Sequence, residues 1–274
     1  MDYEKKTLAL KAYLSELAQS DLAVAFSGGV DSSLLLFLCC EAAREKGTKV
    51  TAVTMQTRLH PHGDVDIACR VAEEVGAHHM VIQLDELDDA GIRMNPEDRC
   101  YRCKHLLFRK LQEKADELGA SSVVEGTNAD DLQTYRPGIR ALRELGILSP
   151  LAQFGITKAE VRQMAQEMGV SVSKRASTPC MATRFPYNTR LDYETMGLVA
   201  DAETWLREQG FYNVRLRVHG DTARLEVDCS DMERLFLIRE EVVERLKAMG
   251  FAYITLDLEG FRSGSMDIHI KERR

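Results

Sequence analysis

The sequence predicts an α/β protein whose main part is a parallel sheet covered by helices, followed by a small α+β unit. Three observations carry this. Short apolar runs of strand length alternate with longer helical patterns through the first two thirds of the chain. The first apolar run stops at a glycine-rich turn, and a second, helix-length run starts at once. From about Tyr187 the alternation gives way to a helix, a hairpin and another helix.

The opening twenty residues, MDYEKKTLALKAYLSELAQS, have the spacing of an amphipathic helix with acids in it. Strands are expected at Leu22–Phe26, Lys49–Met55, His79–Leu84 and Ser122–Glu125, with helices between them at Val65–Val75 and Lys104–Leu118. Parallel strands need crossover helices, and ligands bind beyond the carboxyl ends of such strands. The glycine-rich turn lies at one such end. The stretch Glu125-Gly126-Thr127-Asn128-Ala129-Asp130-Asp131 lies at another, so both should face one cleft. Thr157-x-x-Glu160 is a capping box for a helix running to Met168. Val170–Pro186 lacks a period and reads as a long loop over the cleft. A domain boundary is placed at 186/187. Beyond it come a helix at Tyr193–Gln209 and an antiparallel hairpin of Asn213–His219 and Ala223–Asp228 around Gly220-Asp221. A helix capped by Ser230-x-x-Glu233 then runs to about Gly250, and a last strand covers Ala252–Leu258.

At 274 residues the chain is long enough for one large and one small domain. A net charge of −7 argues against broad nucleic-acid binding, which needs a basic surface. No apolar stretch reaches membrane-spanning length, and the N-terminus lacks the apolar run of a signal peptide, so a cytoplasmic protein is expected. Seven cysteines in such a chain do not suggest a disulfide framework. Cys39, Cys40 and Cys69 fall in helical patterns and read as small buried hydrophobes; Cys229 follows a strand and has no obvious partner.

The turn itself is Ser27-Gly28-Gly29-Val30-Asp31-Ser32-Ser33. A helix N-terminus with its dipole and free N–H groups suits a phosphate. Gly28 and Gly29 let the backbone come close to the anion, and Ser27, Ser32 and Ser33 add hydroxyl donors. Asp31 is the odd member: a carboxylate beside phosphates needs a cation between them, most simply Mg²⁺. No Gly-Lys-Ser/Thr follows, so this is not a Walker A loop. An ordinary glycine-rich turn is the bland reading, and the full string argues against it.

Cys100-Tyr101-Arg102-Cys103 places a C-x-x-C just before the predicted helix, with Lys104 at that helix's start. Cys180 is a third candidate on the long loop. Three thiolates could hold a [4Fe–4S] cluster and leave one iron open. A zinc site, a redox pair or no site at all fits the spacing equally. Arg215 and Arg217 are two apart on one strand and share a face, which by itself is usually a solvated face. Asp130 and Asp131 are a turn pair or nucleotide neighbours. His60, His62, His78 and His79 lack a ligand pattern.

The loop resembles the PP-loop of the ATP pyrophosphatases, adenine nucleotide alpha hydrolase-like domains that split ATP between the α and β phosphates. Arg99-Cys100-Tyr101-x-Cys103-Lys104, Gly126-Thr127-Asn128-x-Asp130-Asp131, Tyr135-Arg136-Pro137-Gly138, Cys180-x-x-x-Arg184-x-Pro186-Tyr187 and Gly260-Phe261-Arg262-Ser263-Gly264 follow it in order. Together they resemble the LarE family, over nearly the whole chain. The resemblance implies an ATP-dependent sulfur transferase acting on a pyridinium-3,5-biscarboxylic acid mononucleotide, in the maturation of the nickel-pincer nucleotide cofactor of lactate racemase. ATP adenylates a carboxylate, sulfur replaces AMP, and a thiocarboxylate results. One branch of the family sacrifices a cysteine; another holds a [4Fe–4S] cluster on three cysteines and is thought to carry sulfide on the open iron. Cys100, Cys103 and Cys180 match the second branch.

By the same resemblance, ATP and Mg²⁺ fall to Ser27, Gly28, Gly29, Asp31, Ser32, Ser33, Asp130 and Asp131. Asp31, Lys104, Cys180 and Arg184 are the catalytic candidates, and Arg184, Glu203, Arg215 and Arg217 the substrate-binding ones. Asn188 stands where the family usually has Gly, and Asn tolerates a left-handed backbone. The expected partners are the pyridinium mononucleotide and sulfide or another sulfur donor, with no membrane or nucleic acid, in a homo-oligomer. A tRNA thiolation enzyme of the same superfamily and a non-catalytic nucleotide sensor are the alternatives.

Overall fold

The computed structural model describes residues 2–60, 63–133, 137–173, 179–262 and 265–267. The chain forms two compact units: residues 1–92 with 98–178, and residues 93–97 with 179–274.

The first unit runs α1 (Tyr3–Leu17), β1 (Leu22–Ala25), α2 (Val30–Lys46), β2 (Val50–Thr57), α3 (Asp64–Val75), β3 (His78–Leu84), a one-turn α4 (Glu86–Asp89), α5 (Arg99–Glu117) and β4 (Ser122–Val124). The short helices α6 (Gly138–Glu144) and α7 (Pro150–Gln153) lead to α8 (Lys158–Glu167). The sheet order is β3-β2-β1-β4, with every pair parallel. Alternation along the strands divides the core. Leu22, Val24, Val50 and Ala52 pack with the apolar residues of α1, α2 and α8. Ala23 and Val53 pack with Phe108, Leu111 and Ala115 of α5 and Leu142 and Ile147. Successive side chains of a strand point to opposite faces, so both faces are covered by helices. Helix α2 is apolar nearly all round, from Leu34 to Ala43, and is correspondingly buried. Thr157 and Glu160 form the expected capping box at the start of α8.

The second unit contains α9 (Tyr193–Glu208), β5 (Val214–His219), β6 (Thr222–Val227), α10 (Met232–Leu237), α11 (Arg239–Ala248) and β7 (Tyr253–Leu256). β5 and β6 form the predicted hairpin, and β7 returns through α10 and α11 to lie parallel to β6. The segment 93–97 is the contribution of the earlier chain. Asn95, fully buried and at φ 48°, donates from Nδ2 to the carbonyls of Phe185 (3.1 Å) and Pro186 (2.7 Å) and accepts from Asn188 N (3.0 Å). Asn188 itself has φ 60°, the left-handed backbone expected for it.

Several expectations are corrected. Helix α5 begins at Arg99, so the C-x-x-C lies inside its first turns and not before it. Residues 179–186 are no open loop: a 3-10 turn spans Met181–Arg184, and Met181, Ala182, Arg184 and Phe185 are buried within the second unit. The helix expected after Ser230 is broken at Ile238, and Ser230 does not cap it; Asp231 stands at that position without a side-chain bond. Tyr135, Arg136, Ser263, Gly264 and His62 lie outside the described residues.

Two buried carboxylates organise the second unit. Glu203 accepts from Arg184 Nε (2.9 Å) and Nη2 (2.7 Å), Arg207 Nη2 (2.9 Å) and Leu216 N (3.0 Å). Glu226 accepts from Arg217 Nε (3.1 Å) and Nη2 (2.9 Å) and from Arg224 (3.1 Å). Burial would push the Glu203 carboxyl up, but the Arg184 guanidinium and the Leu216 amide hold it below the usual carboxylate range. Its folded value is therefore below its unfolded one, so its stabilisation is present in full above the unfolded pKa of roughly 4.3 and is lost as pH falls through the lower folded value. Glu203→Gln strands the buried Arg184 charge and should cost about 3–5 kcal/mol at pH 7. In denaturant titrations of the two proteins, that difference should shrink steadily as pH falls below about 4.

Candidate functional site

The sharp turn after β1 exists because Gly28 adopts φ +67°, and a side chain there would also stand 3.0 Å from the Ala68 backbone of α3. The turn is braced from within. Ser27 N donates to Ser32 Oγ (3.3 Å), Ser32 Oγ donates to the Gly29 carbonyl (3.1 Å), and the two serine hydroxyls are 3.2 Å apart. No side chain caps α2, so the loop meets an uncapped N-terminus of a 17-residue helix. The post-β4 segment presses against it: a Cβ at Gly126 would stand 2.8 Å from Ser32 N.

Above the loop lies a cavity of about 870 Å³, large enough for a nucleotide. Ser27, Gly29, Asp31 and Ser32 line it, as do Lys104, Glu125, Thr127 and Asp131. Its other wall is the ends of β2 and β3, from Val53 to Arg58 and from Gln83 to Asp85, with Phe108 and Leu111 of α5. Apolar side chains such as Val53, Met55, Leu84 and Phe108 beside the donors of the loop give room for a base and its triphosphate. Lys104 reaches this cavity with its ammonium 5.8 Å from the Phe108 ring and its stem against Gly138. Ser33 does not line it; its hydroxyl is buried in α2 without a partner among the described residues. Glu125, which sequence reasoning did not single out, is buried at the cavity's edge, accepting from Thr127 N (3.1 Å), Thr127 Oγ1 (2.8 Å) and Ser149 Oγ.

Asp31 is held on both oxygens. Asn128 Nδ2 donates to Oδ1 (3.0 Å), and the Lys158 ammonium pairs with Oδ2. Asn128 is fixed in turn, its Oδ1 accepting from the amides of Asp130 (3.0 Å) and Asp131 (3.2 Å). Asp130 accepts from Lys158 N (2.8 Å), so it anchors the first residue of α8 and does not line the cavity. Lys158 was missed by sequence reasoning; its signal was its place inside the recognised Thr157–Glu160 box. His60 lies at the cavity wall, with its Nδ1 2.9 Å from Thr57 Oγ1.

In the second unit Arg184, Glu203, Arg215 and Arg217 come together, and none is a solvated surface residue. Arg184 is fully buried, and its Nη1 donates to the Pro179 carbonyl (3.0 Å) and Thr183 Oγ1 (3.0 Å), so it braces the turn bearing Cys180. Arg217 donates to the Thr183 carbonyl (2.7 Å) from the same side. Arg215 differs: it bonds the Val214 carbonyl (2.7 Å), lies 5.0 Å from the Phe261 ring, and makes no ion pair within 4.0 Å among the described residues. Burial, with Arg184 adding repulsion, brings its pKa down to about 10. A buried guanidinium with donors to spare is suited to an anion.

None of the seven cysteines is in a disulfide. Cys100 is exposed and Cys103 half-buried, three apart and hence on one face of α5 in the first unit; half-buried Cys180 belongs to the second. The pair fits two ligands of an iron–sulfur cluster. Among the described residues no three His, Cys, Asp or Glu side chains are grouped to hold a metal ion. Cys39 is fully buried and Cys40 is pushed up to about 11 by burial, in keeping with core packing, whereas Cys69 is half-buried.

A parallel sheet, a Ser-Gly-Gly-x-Asp-Ser turn on an uncapped helix and a nucleotide-sized cavity define a PP-loop protein, and the PP-loop domain family matches residues 3–174. The pyridinium-3,5-bisthiocarboxylic acid mononucleotide synthase of Lactiplantibacillus plantarum is 36% identical over 264 residues, covering 95% of both chains. A Synechocystis protein without an assigned activity is 36% identical over 266 residues, covering 96% of this chain and 97% of its own. The tRNA-specific 2-thiouridylase of Rickettsia bellii is 29% identical over 198 residues, 57% of this chain and 52% of that one. The chain belongs to the LarE family.

The close approach at Gly126 is directly testable. Gly126→Ala pushes a methyl into the Ser32 amide, and overpacking of this kind costs about 1–3 kcal/mol. Because the clash is at the loop, ATP affinity measured by calorimetry should fall while the far-ultraviolet circular dichroism spectrum is retained.

Proposed function

We propose that this chain is an ATP-dependent sulfur transferase that converts the carboxylates of pyridinium-3,5-biscarboxylic acid mononucleotide to thiocarboxylates, for nickel-pincer nucleotide biosynthesis and the maturation of lactate racemase. The observation that carries the reading is the braced loop and uncapped helix beneath the cavity, with Asp31 fixed at its rim. Substrate carboxylate and ATP give the acyl adenylate and pyrophosphate. Hydrosulfide then attacks the acyl carbon, AMP leaves, and one proton is released. Two carboxylates require two such cycles. The loop donors and Lys104 stabilise the departing pyrophosphate, and Mg²⁺ on Asp31 would neutralise phosphate charge there. Arg215, assisted by Arg217, takes the phosphate of the pyridinium mononucleotide, while Arg184 and Glu203 hold the arginine cluster and the Cys180 turn in place.

For sulfur delivery we assign Cys100, Cys103 and Cys180 to a [4Fe–4S] cluster. It would offer an iron without a protein ligand to sulfide. The i, i+3 pair on α5 supports this. Exposed Tyr212, Phe236, Leu237, Tyr253 and Leu258 on the second unit support a homo-oligomer. No helix among the described residues is long and apolar enough to cross a membrane, which supports a cytosolic place for the enzyme.

The test is an anaerobic assay with ATP, the dicarboxylated mononucleotide and sulfide. AMP and pyrophosphate should form, with iron and sulfide bound to the protein and its mass unchanged after several turnovers. ADP and phosphate as the sole nucleotide products reject the adenylation. A dehydroalanine at Cys180 in iron-free, active protein rejects the cluster in favour of a sacrificed cysteine. Arg215→Met should keep the fold but lose the charged bonds to substrate, raising its Kd at least about tenfold. Arg217→Met should in addition lower stability, because it leaves buried Glu226 short of its main partner.

A further inference from the structure

We propose that Lys158 is a resident stand-in for the metal at Asp31: it neutralises the carboxylate while the loop is empty, yields Oδ2 to the divalent cation that arrives with ATP, and then turns to the phosphates. The inference rests on the reading of the loop as an Mg–ATP site and concerns a residue outside the loop.

The geometry separates what is fixed from what can move. Asp31 Oδ1 stays with Asn128 Nδ2 at 3.0 Å, and Asn128 is locked by two backbone amides. Oδ2 carries the Lys158 ammonium. A hard cation needs a carboxylate oxygen, and two cations cannot share Oδ2 at contact distance without strong repulsion. Loading therefore requires the ammonium to leave. The pair is only part-buried: the side chains of Lys158 and Asp31 keep 34% and 21% of their exposure, so water reaches both and opening the pair strands no fully desolvated charge. The lysine backbone, by contrast, is anchored. Its N–H is held by Asp130 Oδ2 at 2.8 Å, and Thr157 and Glu160 close the capping box around it. Glu160 is held in turn by Lys6 at 2.9 Å. A flexible four-carbon stem on a fixed root swings the ammonium from the carboxylate toward the anion that comes with the metal.

This arrangement makes two affinities move in opposite directions. Removing the ammonium frees Oδ2 for a lone cation but deprives the phosphates of a donor. A lysine that merely held the fold together would weaken both. Mn²⁺ alone, followed by electron paramagnetic resonance, and Mg²⁺ with α,β-methylene ATP, followed by calorimetry, measure the two on the full chain. Lys158→Met should bind Mn²⁺ several-fold tighter and the metal–nucleotide at least about tenfold weaker. Lys158→Arg should restore nucleotide binding, and Lys158→Gln repeats the measurement should the Met variant unfold. Unchanged values in Lys158→Met, or weakening of both, overturn the exchange. Asp31→Asn separates the two readings. If Asp31→Asn loses metal–nucleotide affinity while Lys158→Met is unaffected, the exchange alone fails. If Asp31→Asn binds both probes like wild type, the assignment of metal to Asp31 fails and the exchange with it.

Discussion

The contact on which the first unit depends is the approach of Gly126 to the amide of Ser32. Parallel strands put their carboxyl ends on one edge, and here two of those ends meet without a side chain between them. The phosphate loop after β1 is thereby pressed between α3, through Gly28 and Ala68, and the segment after β4. On the same segment Asn128 reaches Asp31, and Asp130 fixes the start of α8.

The second unit solves a different problem, that of placing several like charges out of water. Two glutamates, 1% and 0% exposed, each collect more than one arginine, and their pairs span the turn of Met181–Arg184, helix α9 and the hairpin. Such pairs are weak evidence of stability but strict about geometry, since any loss leaves a buried ion. Among the described residues Arg215 stands beside these networks without an ion pair of its own, which leaves the cluster with positive charge in excess.

Much of this was legible in the sequence because it rests on local rules. The strands, the hairpin at Gly220-Asp221 and the capping box at Thr157 lie where alternation, turn chemistry and spacing put them. The loop's residues carry their own geometry. What escaped was non-local. Nothing near Lys158 announces a partner 127 residues away, and Glu125 is read as a strand end until Thr127 and Ser149 close on it. Residues 179–186 lack a period because their order comes from their own buried Arg184, held by Glu203 of α9, and from Arg217 of β5. The broken helix at Ile238 and the early start of α5 show the usual weakness of terminal signals.

The strap of residues 93–97 has a consequence in time. Asn95 bonds to carbonyls 90 and 91 residues further along the chain. At a synthesis rate of about 5–20 residues per second, it leaves the ribosome roughly 5–20 seconds before those acceptors exist. A nascent first unit must therefore close around a gap, holding Ile92 and Asp98 in place while the polar strap between them waits in water. The unit encoded last completes itself by retrieving a segment made with the first, so a cut at residue 178 would leave the later half without its strap.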